Sequence, residues 1–198
     1  MEIQVHNLCK SYGGETVLQG VTFTAGTGVT CLMAPSGAGK TTLLRILLGL
    51  ETADSGTVQA PAGCRWAAVF QEDRLLERLD AMGNLRFVLG KGFREAAAAA
   101  LLAELGLGDV GGKPVRDFSG GMKRRLALVR ALLAPSDILV LDEPFTGLDG
   151  ENRARALACV RRAAAEKPVL LVTHDEADAA DLDAVLLRLN TNGSILSL

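Results

Sequence analysis

The sequence predicts a layered α/β fold. Its core is a mainly parallel sheet, with an antiparallel β part at the N-terminus and a helical lobe inserted midway. Three observations lead there. Short β-branched and apolar runs alternate with helical patterns over the first and last thirds of the chain. The 198 residues are 48% hydrophobic, which suits strands buried on both faces. Between them, from Glu72 to about Leu133, the pattern is helical with no convincing strand.

Taken in order, Ile3 to Asn7 and Val21 to Thr24 read as strands joined by a turn at Gly13-Gly14. Val29 to Met33 is a buried strand that runs into a glycine-rich loop. Thr41 to Leu48 follows as a helix stopped by Gly49. Arg65 to Phe70 is a strand ending at Gln71. Beyond the helical stretch come a strand at Ile138 to Leu141, a helix from about Glu151 to Ala165 and a strand at Val169 to Thr173. A short helix and a closing strand pair near Val185 to Leu196 finish the chain. No repeat or low-complexity linker interrupts it. The expectation is one domain over 1–198, with the helical lobe at about 72–133.

Bulk properties exclude several roles. The net charge of -2 offers no basic footprint, so nucleic acid is not an expected partner. The longest apolar stretch, Ala96 to Ala103 between Glu95 and Glu104, is far short of the roughly 20 residues a bilayer demands. The N-terminal residues show no charged-then-apolar leader pattern. The expected location is cytoplasmic, with any membrane role going through a separate embedded partner. Cys9, Cys31, Cys64 and Cys159 are scattered and read as ordinary core or surface residues. His6 lies outside any motif and reads as structural.

Chemistry concentrates at Ala34-Pro35-Ser36-Gly37-Ala38-Gly39-Lys40-Thr41-Thr42, which follows a strand and opens a helix. Glycines there let backbone N–H groups turn inward around phosphate oxygens. The helix N-terminus adds partial positive charge, and Lys40 adds a full charge aimed at the β- and γ-phosphates. Thr41 is placed to ligate Mg²⁺. Ala34 stands where the pattern has its first glycine. Far downstream, the apolar strand Ile138 to Leu141 ends in Asp142-Glu143. Acids buried at a strand tip need a compensating cation or hydrogen bonds. The roles expected are Asp142 on Mg²⁺ and Glu143 polarising an attacking water. The fold class is therefore an α/β P-loop NTPase core.

A second anion-seeking helix start is Phe118-Ser119-Gly120-Gly121-Met122, followed by Lys123-Arg124-Arg125 and an apolar helical run. Alone, a Ser-Gly-Gly turn before a basic helix is common. Together with the phosphate loop and the acid pair, in this order, it resembles the ATP-binding cassette family, the nucleotide-binding subunits of ABC transporters. The family signature is Leu-Ser-Gly-Gly-Gln; here Phe118 and Met122 stand at its ends. The resemblance runs from Tyr12 to His174. It implies ATP and Mg²⁺ as ligands and assigns an adenine contact to Tyr12, for which a core or surface tyrosine is the rival reading. It gives Gln71 a role on Mg²⁺ and water, and Asp149, in Gly147-Leu148-Asp149, a link between two active sites. His174 is implied at the γ-phosphate. It also implies that Ser119, Gly120 and Gly121 of one subunit close over ATP held by another.

The expected assembly is a homodimer, or a pairing with a similar subunit. It would be peripheral on the inner face of the membrane through a permease, with a solute-binding protein in the full system. Phe70-Gln71-Glu72-Asp73-Arg74-Leu75-Leu76 is similar to import cassettes of the nitrate, sulfonate and taurine type. The next residues, Glu77-Arg78-Leu79-Asp80, lack the Pro-Trp often found there. Leu75, Leu76, Leu79 and Phe87 read either as a groove for the permease or as core of the lobe. Three other classes stay open: a soluble non-transport cassette ATPase, another phosphate-loop enzyme such as a small-molecule kinase, and a degenerate module that binds ATP with little turnover.

Overall fold

A computed structural model describes residues 1–35, 37–190 and 193–196. The chain opens with a long hairpin, β1 (Ile3–Tyr12) and β2 (Glu15–Ala25), closed by the two glycines so that Tyr12 pairs with Glu15. Both turn residues have positive φ, 57° and 90°, as a two-residue hairpin loop demands. The strands are longer than the apolar runs predicted, because irregularities after Val5 and Leu8 shift the register and let polar residues continue the ladder. A further strand, β4 (Ser55–Gln59), pairs antiparallel with β1. Its sequence, SGTVQ, carries no alternation, so only the pairing reveals it.

The second sheet has the order β5 (Trp66–Val69), β6 (Ile138–Asp142), β7 (Pro168–Val172), β3 (Gly28–Met33), β8 (Val185–Leu189), β9 (Ile195–Leu196). All neighbours are parallel except the closing pair β8 and β9. Period-two alternation sends its side chains into two separate cores. Val29, Cys31, Leu139, Leu141, Val169 and Leu171 face one. Leu32, Ile138, Val140, Leu170 and Val172 face the other. Both kinds are buried, so the strands read as continuous apolar runs.

The two cores have different covers. One lies under the antiparallel sheet and α1 (Lys40–Leu47), which contributes Leu43, Leu44, Ile46 and Leu47. Helix α1 ends as expected at Gly49, where the Leu50 N–H returns to the Arg45 carbonyl at 2.8 Å. The other core lies under α2 (Ala81–Leu89), α3 (Glu95–Glu104), α4 (Gly120–Leu133) and α5 (Gly150–Ala164). Helix α2 starts at Asp80, whose carboxylate accepts from the Gly83 N–H at 2.6 Å. A short helix, α6 (Glu176–Asp181), follows β7. All four cysteines are free; Cys31 and Cys159 are buried. Among the described residues, no helix is long and apolar enough to cross a membrane.

Candidate functional site

Three strands of the parallel sheet end at one cleft. Strand β3 runs into the glycine-rich loop, β6 ends at Asp142 before Glu143, and β7 leads through Thr173 to His174. Gln71 arrives just beyond β5. The resulting cavity of about 750 Å³ is lined by Gly37, Gly39, Lys40, Thr41 and Thr42 on one wall and by Gln71, Asp142, Glu143 and His174 on the other. A cleft beyond the carboxyl ends of parallel strands is where such sheets bind ligands.

One position in the loop that forms the first wall demands glycine. Gly39 has φ of 86° and sits against β2, where an added Cβ would come within 2.8 Å of the Val17 carbonyl oxygen. No side chain caps the N-terminus of α1, so its first N–H groups are available to an anion. The Lys40 ammonium folds over the loop and donates to the Ala34 and Pro35 carbonyls at 2.5 and 3.2 Å. Ala38 is buried beneath. Ser36 lies outside the described residues.

The opposite wall is acidic. Burial and the neighbouring Glu143 charge push the Asp142 carboxyl above the usual range, against the pull of Arg124 and Lys40. Glu143 takes a left-handed backbone, φ 51°, a conformation that costs a non-glycine residue about 1–3 kcal/mol and clusters at functional sites. It is held there by its N–H on the Val172 carbonyl at 2.8 Å. Its carboxylate meets His174 Nδ1 at 2.9 Å and accepts from the Thr146 hydroxyl at 3.3 Å. That hydrogen bond and its charge raise the His174 pKa. The His174 side chain is 72% exposed, against 14% for Glu143, so the imidazole reaches into solvent while the acid stays sheltered. Below it, Asp178 accepts from the Thr173 hydroxyl at 2.9 Å and from Arg153 of α5 at 2.6 and 2.9 Å, which anchors the turn bearing His174.

Ser119, Gly120, Gly121 and Asp149 do not line this cleft. They gather at a second place. The Ser119 hydroxyl caps α4 by accepting from the Met122 N–H at 3.2 Å. Asp149 caps α5 through the Asn152 N–H at 2.9 Å. Arg125 joins the two, donating to the Gly121 carbonyl and, at 2.7 Å, to the Asn152 side chain. Tyr12 is exposed at the end of β1 with the Lys10 ammonium 5.0 Å from its ring centre. Leu75 packs on the core, whereas Leu76, Leu79 and Phe87 are exposed, with Val88 beside Phe87. The groove and core readings therefore divide among these residues.

Sequence reasoning missed Arg124, which lines the cleft, and also Thr146, Asn152, Arg153 and Asp178. Arg124 showed only as part of a basic run.

Fold and cleft together define a phosphate-loop nucleotide-binding protein. The family model described as ABC transporter matches residues 18–146, and the chain belongs to that family. It is similar to an aliphatic sulfonates import ATP-binding protein of Corynebacterium glutamicum, 41% identical, over 92% of this chain and 78% of that one. It is also similar to an Fe(3+) ions import ATP-binding protein of Rhodococcus jostii, 36% identical, over 93% of this chain and 59% of that one. A solved ATP binding subunit of an ABC transporter matches with a TM-score of 0.88 at 27% identity, covering 98% of this chain and 88% of that one.

Proposed function

We propose that this chain binds and hydrolyses ATP to power import through a separate membrane permease. The observation that carries the proposal is the cleft itself. It sets an uncapped helix start and Lys40 against a sheltered carboxylate, Glu143, and an exposed imidazole, His174. Loop N–H groups and Lys40 bind the phosphates, and His174 meets the terminal one. Glu143 orients a water and takes its proton as the water oxygen bonds the γ-phosphorus and the bond to the ADP oxygen breaks.

Mg²⁺ suits the residues present. Thr41, Gln71 and Asp142 offer oxygen donors, the type this hard cation takes, and a buried acid with a raised pKa gains from a nearby cation. These three would hold it, and the ion would neutralise charge on the phosphates. Among the described residues no group of three or more His, Cys, Asp and Glu could hold a metal ion.

The Ser119 edge lies outside its own chain's cleft, so its place in the proposal is over the ATP of a second subunit. ATP would then hold the pair together, and hydrolysis would release it. The exposed Leu76, Leu79 and Phe87 are proposed to meet the permease, which keeps the assembly at the inner membrane face. The two import relatives are named for different cargoes, which favours recognition of cargo by the permease and a solute-binding protein.

Phosphate release from Mg-ATP tests the reading. Lys40→Ala is expected to reduce turnover by at least about 100-fold, from the loss of a charge contact in a site of this kind. Glu143→Gln should abolish turnover while retaining ATP, and should elute as a dimer with ATP during gel filtration. Turnover unaffected by Lys40→Ala would exclude hydrolysis at this site.

A further inference from the structure

The segment from Phe70 to Arg74 has no helix or strand of its own, yet it carries Gln71 into the cleft. What holds it comes from α4. Arg124 donates to the Phe70 carbonyl at 2.6 Å and to the Gln71 carbonyl at 2.9 Å, and lies 3.0 Å from the Asp73 carboxylate. Arg130, farther along the same helix, donates to the Asp73 and Arg74 carbonyls at 2.8 and 2.7 Å. Two arginines of one helix thus hold the carbonyls of residues 70, 71, 73 and 74. Arg74 in turn stacks over the Phe70 ring at 4.0 Å.

This is costly machinery. Arg124 is buried, and a guanidinium is kept there only if its fork of donors is met. A surface loop could be closed far more simply. The fork makes sense if the location of Gln71 matters and must follow α4, the helix that Ser119 caps.

We infer that Arg124 is a positioning residue for Gln71. Through two carbonyls it ties the Gln71 loop to α4, the helix that Ser119 caps. The inference rests on the ATPase reading above, with Gln71 as the group that touches metal and water and Arg124 as the side chain that holds its backbone in place.

A double-mutant cycle on the purified chain tests this. Arg124→Met is expected to lower kcat for ATP hydrolysis about 10- to 100-fold, the scale of a misplaced catalytic group, with KM for ATP changed less than about threefold. In a Gln71→Ala background, Arg124→Met should remove little further activity. Arg124→Lys retains charge without the fork and should fall between; it carries the same cycle if Arg124→Met fails to fold in a thermal melt. An Arg124 effect as large without Gln71 as with it, or no effect on kcat, overturns the inference. If the wild type releases no more phosphate than Lys40→Ala, the ATPase reading itself fails. Amide exchange over residues 70–76 then still judges the clamp, since Arg124→Met must speed exchange there and unchanged exchange overturns it.

Discussion

The molecule has two helix starts rich in glycine, and they differ in what explains the glycines. At α1, Gly39 is required by its own chain, with positive φ and the Val17 carbonyl in the way of any Cβ. At α4, Gly120 has no such reason, since a Cβ there would meet nothing within 4 Å and φ lies outside the left-handed region. The caps differ in parallel. The α1 terminus has no side-chain cap, while the α4 terminus is already capped by Ser119. In the proposed function the first is an anion site complete within one chain, and the second would meet the phosphates held by another molecule, whose close approach the open space at Gly120 would allow.

Substitutions at these starts should therefore fail in different ways. The largest effect is expected from Gly39→Ala. Left-handed backbone and a backbone clash together cost several kcal/mol, so nucleotide binding measured by a fluorescent ATP analogue should weaken about 100-fold or more. Gly120→Ala should leave the melting temperature and single-chain nucleotide binding intact, yet lower turnover and ATP-dependent dimer formation about tenfold or more, a loss typical of crowding at a well-packed contact. A Gly120→Ala protein with full turnover would remove the contrast.

The cleft that α1 opens into also sets two acids, Asp142 and Glu143, side by side. Because Asp142 has a raised pKa in the fold, its protonated form is favoured there. The associated stability is present below the unfolded value of 3.8 and is lost as pH rises through the folded value. Asp142→Asn should thus raise the melting temperature of the nucleotide-free protein at neutral pH by a few degrees, with the gain fading toward pH 3.8. A gain independent of pH would point to packing. The smallest effect is expected at Met122, whose side chain packs against the lobe core. Met122→Gln adds one possible hydrogen bond beside the Ser119 edge, worth about 0.5–1.5 kcal/mol; turnover should rise between about two- and tenfold, and unchanged turnover would exclude any part for that side chain.

The residues of the α1 cleft were largely legible in the chain: Lys40, Thr41, Asp142 and Glu143 announce themselves by type and spacing after apolar strands. Strand β4 did not, because an edge strand with exposed side chains has no alternation to read. Nor did the division of Leu75, Leu76, Leu79 and Phe87 between core and surface, which depends on which face of the lobe meets the sheet.

By itself, the sequence determined the α/β class, the phosphate loop, the acid pair and the Ser-Gly-Gly helix start. Each is written in neighbouring residues, where strand and helix periods and local backbone chemistry suffice. Only the tertiary structure decided that two cores lie on opposite faces of one sheet, that the Ser119 edge stands apart from the cleft, and that Arg124 holds Gln71. The last two are 53 positions apart, and a guanidinium looks the same in a solvated basic run as in a buried fork until packing decides which carbonyls surround it.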